Sequence, residues 1–137
     1  MRVFARFACP IAWLGVLAMA AQAQELEPYP APKITVEQWT TYADEVRQRH
    51  QASAQIYRDK QLVAFSDQRT RTFWVFTLKD HPAHPAWLTR QMFEEGGQVR
   101  VRQIGYFAGS EAEFARLFAE YQERNEQLRE DVEERNR

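Results

Sequence analysis

The chain has 137 residues, with 18 Lys or Arg against 19 Asp or Glu and a formal net charge of −1. That length suits one domain, and so even a charge balance argues against nucleic-acid binding, which needs a basic face. One cysteine, Cys9, excludes an internal disulfide framework.

The N-terminus reads as a secretory signal. Arg2 and Arg6 precede an apolar run from Phe7 to Ala21, and Ala21-Gln22-Ala23 supplies the small-x-small cleavage pattern. The run falls short of the roughly 20 residues that a bilayer span needs. Cys9 precedes this run and is followed by Pro10, which is the wrong order for a lipid anchor. The expectation is therefore a signal peptide over residues 1–23 and a periplasmic or secreted product, with no transmembrane helix after cleavage. The mature chain would keep 114 residues, no cysteine, and 16 basic against 19 acidic residues. Without cross-links it must be held by burial, and its plentiful aromatics suit that need.

Residues 24–34 contain three prolines in the stretch Pro28-Tyr29-Pro30-Ala31-Pro32, and are expected to form an extended tether. A single domain over 35–121 follows. Thr35 with Gln38 fits a capping box, and Ile34 with Trp39 fits a hydrophobic staple. Val36, Trp39, Ala43, Val46 and His50 then fall on one helical stripe that ends near Gln51. His50, at the end of that stripe, suits a helix C-terminus.

From Gln55 the period changes to two. Extended stretches are expected at Ala54–Arg58, Gln61–Ser66, Thr70–Leu78, Trp87–Glu94 and Gln98–Phe107, the first turning at Asp59-Lys60. They are read together as a four-stranded antiparallel β-meander. Gly96-Gly97 supplies the positive φ angles of a tight hairpin, which would pair Glu95 with Gln98, Met92 with Val101 and Leu88 with Gly105. Ser110 with Glu113 is a second capping box, and Phe114, Leu117, Phe118 and Tyr121 form an i, i+3, i+4, i+7 stripe. Residues 122–137 are charged in both signs, with only Leu128 and Val132 continuing the stripe, and read as a solvated helical tail that frays. The expected fold is α+β: an N-terminal helix, the four-stranded meander, and a C-terminal helix with a charged extension.

Neither face of the expected sheet is plainly polar. Leu88, Met92, Val99 and Val101 share one side of the hairpin, while Trp87, Phe93, Ile104 and Tyr106 share the other with Arg100 and Arg102. Two readings follow. The helices could wrap both sides or an edge. Alternatively the second face could be a docking surface, because arginine and aromatic residues are enriched at interface cores. Arg69, Arg71, Arg90, Arg100 and Arg102 all lie in or beside strands, which suits an anionic ligand or an acidic partner.

The loop Lys79-Asp80-His81-Pro82-Ala83-His84-Pro85-Ala86-Trp87 carries two of the three histidines. Prolines at 82 and 85 disfavour a helix, but a polyproline-like run returns residues three apart to the same side. His81 and His84 are thus candidate metal ligands, with His50, Asp80, Asp67 and Glu94 as further donors. The plainer reading is a stiff connection between strands. The three serines form no nucleophile elbow, and the five glycines form no phosphate loop. No catalytic residue or cofactor is expected.

The leading functional expectation is a small exported bacterial envelope protein acting as a non-enzymatic binding module. It would hold an envelope protein or a small anionic ligand at Trp87, Phe93, Arg100, Arg102 and Tyr106. The alternatives are a metal-binding or metal-assisted hydrolytic protein using His81 and His84, and a structural protein that oligomerises through residues 122–137.

Overall fold

The structure, a computed structural model, describes residues 26–137; the expected signal peptide and Cys9 lie outside the described residues. Contacts gather Ala31–Arg137 into one unit. In chain order it contains α1 (Val36–His50), a 3₁₀ turn (Gln51–Ser53), β1 (Gln55–Tyr57), β2 (Leu62–Asp67), β3 (Thr72–Thr77), β4 (Ala86–Glu95), β5 (Gln98–Phe107) and α2 (Glu111–Arg135). No helix among the described residues is long and apolar enough to cross a membrane.

The fold is α+β as expected, but the sheet has five strands rather than four. Gln55, Ile56 and Tyr57 pair antiparallel with Ala64, Val63 and Leu62, so the short stretch before the Asp59-Lys60 turn is a true edge strand. The order is the simple meander β1-β2-β3-β4-β5. The hairpin register is the expected one, with Glu95 opposite Gln98, Met92 opposite Val101 and Leu88 opposite Gly105. Gly96 and Gly97 adopt φ of 58° and 76°, which side-chain-bearing residues reach only at a cost. Pro32, Lys33 and Ile34, at the end of the proline-rich stretch, dock on the end of β5. Phe107 N–H donates to Pro32 O and Ile34 N–H donates to Phe107 O, each at 2.9 Å.

The two helices take opposite faces, which accounts for the absence of a polar side. On one face α1 lies over Trp74, Phe76 and Trp87. Tyr42 stacks on Trp87 at 4.3 Å and its hydroxyl accepts from Trp74 Nε1 at 3.0 Å. Trp39 meets Phe76 edge-on and His50 stacks on Trp74 at 4.6 Å. The inward stripe of α1 is thus Trp39, Tyr42, Val46 and His50. Val36, expected on it, is 58% exposed. The Thr35–Gln38 capping box is present in both directions.

On the other face α2 lays Phe114, Leu117 and Tyr121 against Val75, Leu88 and Phe107, with Phe118 packed at the margin. Ser110 caps it by accepting from Glu113 N–H. The helix continues unbroken to Arg135. Leu128 and Val132 are half-buried, and Val132 shares a crevice with Val99 and Gln98 at the hairpin tip. This part of the charged tail therefore lies along the sheet.

Candidate functional site

The histidine loop is built from internal bonds. His81 N–H donates to Leu78 O and His84 N–H donates to His81 O, each at 3.0 Å. His81 Nδ1 accepts from Ala83 N–H at 3.0 Å, which requires that nitrogen to be unprotonated. Burial pushes the His81 imidazole below its ordinary value, against the opposing pull of Glu120 and Glu113. His84 Nδ1 lies 2.8 Å from Thr77 Oγ1 and 3.1 Å from Thr77 O, and its ring meets Trp39 edge-on at 5.0 Å. The same Thr77 hydroxyl accepts from Ala86 N–H at 3.0 Å and reaches Ala86 O at 3.1 Å. The His84–Pro85 bond is cis. Each imidazole therefore has its Nδ1 engaged within the connection from β3 to β4. Among the described residues no cluster of three or more His, Cys, Asp or Glu is placed to hold a metal ion.

The five residues singled out on the sheet separate by depth. Trp87 and Tyr106 are buried on the α1 face, with their ring centroids 4.8 Å apart. Phe93, Arg100 and Arg102 share that face but remain exposed toward the hairpin tip, with Phe93 opposite Arg100. They do not form one continuous surface with the two core aromatics.

A groove that the sequence reading did not assemble lies on the opposite face, beside α2. Its floor is Leu62, Ala64 and Ser66 of β2 with Phe73 and Val75 of β3; Gln55 and Tyr57 of β1 bound it on one side. Ala64 and Ser66 are small, so the floor dips between Tyr57 and Phe73. The turn after α1 forms a rim held by Ser53, whose Oγ accepts from Ser66 N–H at 2.9 Å and donates to His50 O at 2.7 Å. The groove is open to solvent and offers about 830 Å³, within the range of small-molecule sites.

The far wall carries the chemistry. The Arg90 and Arg124 guanidinium carbons lie 5.3 and 4.9 Å from the Tyr121 ring centroid. Arg90 is fixed by a directed chain. Gln103 Nε2 donates to Phe118 O at 2.9 Å, Asn125 Nδ2 donates to Gln103 Oε1 at 2.7 Å, and Arg90 Nε donates to Asn125 Oδ1 at 2.7 Å. That chain engages Nε and leaves both terminal amino groups of Arg90 unbonded among the described residues.

Burial lowers Arg90 from the ordinary guanidinium value, opposed by Tyr121 and aided by the smaller repulsion from Arg124. Burial raises the Tyr121 phenol, while the two arginines pull it back. The phenol is thus protonated at neutral pH and is a donor. Lys60 lines the groove as well; among the described residues no Asp or Glu lines it, and Glu120 and Glu123 share a second crevice with Arg124. No ion pair reaches Arg90, Arg124 or Lys60 among the described residues.

A signal for this site was present in the register. Arg90 pairs with Gln103, one residue along from Arg102, so it points to the face opposite Arg100 and Arg102. Small residues at alternate positions 64 and 66 marked a shallow stretch on that same face. No protein-family model matches this chain, and no curated protein or solved structure matches it.

Proposed function

We propose that this protein is a non-enzymatic binding module of the bacterial envelope, and that it takes an anionic group of its ligand or partner in the groove at Arg90 and Arg124. One observation carries the reading. Two guanidinium groups sit around the buried Tyr121, close enough to repel, and neither forms an ion pair among the described residues. Cation–π contact with Tyr121 offsets part of that cost, about 0.5–2 kcal/mol per contact. A bound anion offsets more, through charge-assisted bonds worth about 1.5–3 kcal/mol each. In a chain whose overall charge is −1, a groove lined among the described residues by three cations and no anion is a local reversal of sign, and this favours capture of negative ligands.

The test is binding of acetate, phosphate, decanoate and an acidic peptide to the wild type and to the Arg90→Gln/Arg124→Gln variant. At least one anion binds the wild type saturably, and the variant binds it at least tenfold more weakly. Unchanged binding in the variant, or no binding of any anion to the wild type, refutes the proposal.

A further inference from the structure

Resting on that reading, we infer that the ligand is an amphipathic carboxylate: a small molecule with one anionic head and an apolar body. The head belongs at the far wall. With Nε held by Asn125, Arg90 presents the edge formed by its two terminal amino groups, a pair of donors that matches the two oxygens of a carboxylate. Arg124 adds a second cation, and the Tyr121 phenol, which has no hydrogen-bond partner among the described residues, adds a neutral donor. A phosphate monoester fits less well. It is recognised by a cluster of backbone N–H groups at a glycine loop or helix N-terminus, and the groove is lined instead by strand and mid-helix residues with the glycine-free turns at 52–54, 60 and 68.

The body belongs on the floor. From Arg90 on β4 the groove crosses β3 and β2 to β1, three inter-strand steps of about 4.8 Å, or roughly 14 Å. Over that span the accessible floor is apolar or small: Phe73, then Ala64, ending at Tyr57, with the buried Val75 and Leu62 beneath. Phe73 and Tyr57 are 39% and 43% exposed, apolar surface that has no covering element on this face. An apolar chain laid across the strands, with its carboxylate at Arg90, removes that surface from water and neutralises the repelling pair in one event.

The experiment measures binding of decanoate, acetate, inorganic phosphate and decanol to the full chain by calorimetry, in the wild type and three variants. Arg90→Gln removes the head contact. Ala64→Leu fills the floor and keeps both arginines. Phe73→Thr shortens the floor at an exposed site, and so covers the case in which Ala64→Leu fails to fold.

Decanoate is expected to bind the wild type at least tenfold more tightly than acetate, phosphate or decanol, and every folded variant is expected to lose at least tenfold. Equal binding of acetate or phosphate and decanoate, with the floor variants unchanged, overturns the amphipathic ligand but leaves an anion site. Equal binding of decanol and decanoate, with Arg90→Gln unchanged, overturns the role of the head. If none of the four binds, both this inference and the anion site at Arg90 fail for small ligands.

Discussion

Gly105→Ala is the most direct test of how α2 is seated. Gly105 lies in β5 opposite Leu88, on the face that α2 covers. A methyl group built there meets Phe114 Cζ at 2.5 Å, Phe114 Cε2 at 2.9 Å and Leu88 Cδ2 at 2.9 Å. Ordinary carbon contacts begin near 3.5 Å, so Phe114 must retreat by about 1 Å. It has little room, because it is buried and stacked on Phe107 at 5.0 Å. Overpacking of this kind costs about 1–3 kcal/mol. The reduced entropy of the unfolded chain returns about 0.4–1 kcal/mol. The net expectation is a loss of about 1–2 kcal/mol, or roughly 5–15 °C in Tm for a domain of this size.

Urea denaturation followed by tryptophan fluorescence reads this loss, since Trp74 and Trp87 are both in the core. Phe114→Leu shortens the obstructing side chain. The double variant should therefore be less destabilised than the sum of the single ones, by about 0.5–3 kcal/mol. Stability of Gly105→Ala within 0.5 kcal/mol of wild type, or strict additivity with Phe114→Leu, refutes the packing described.

Gly109→Ala should be more damaging than Gly105→Ala, because its added methyl meets the His84 carbonyl oxygen at 2.6 Å, a backbone atom that cannot rotate away; comparing the two urea midpoints checks it. Thr77→Val keeps the shape but leaves Ala86 N–H without its acceptor and removes the contact to His84 Nδ1, so a loss of about 2–4 kcal/mol is expected by the same denaturation assay. His50→Phe preserves the stack on Trp74 and removes a buried, unbonded Nε2, and should leave the urea midpoint equal or higher.

His81 should titrate below the free imidazole value of about 6.5, because burial favours the neutral ring. Its contribution to stability is then present above that value and is lost as pH falls through the lowered one. An NMR titration giving a His81 midpoint above 6.5, or wild type and His81→Gln losing stability equally between pH 7.5 and 5, contradicts this.

The hairpin and the C-terminal helix were readable from the sequence because their information is local. A two-residue Gly-Gly turn with period-two strands admits one register, and the structure has that register along all of β4 and β5. The Phe114–Tyr121 stripe sets its own inward face. The first helix was harder, since Val36 and Tyr42 are both apolar and only the position of Trp74 and Trp87 beneath it selects Tyr42. Strand β1 was undercounted because three exposed residues carry almost no pattern, and only their pairing with β2 identifies them. The candidate site was the least legible part. Ala64, Phe73, Arg90, Tyr121 and Arg124 come from three strands and a helix, and meet only when the sheet is folded.

The groove follows from a mismatch of widths. Five strands at about 4.8 Å spacing make a sheet roughly 19 Å across, whereas one helix with its side chains covers about 10–12 Å. On its face α2 packs chiefly against β5, reaches β4 through Arg90 and shares its core with Val75 of β3 and Leu62 of β2, so what stays open there is β1 and the strip of β2 and β3 at Ala64, Ser66 and Phe73. An uncovered strip of sheet is an aggregation hazard unless its surface is small, polar or charged. Ala64, Ser66 and Gln55 meet that requirement; Phe73 and Tyr57 do not. Solubility alone would be served by pairing the charges near this strip with carboxylates, as Arg129 is paired with Glu126 and Glu133 farther along α2. Arg90 and Arg124 form no ion pair among the described residues, and Arg90 is aimed by a chain of three hydrogen bonds. Ordering side chains in that way has an entropic cost that a surface meant only to stay in water would not need to bear, which is why the open strip of the sheet is better understood as a site than as a gap in the packing.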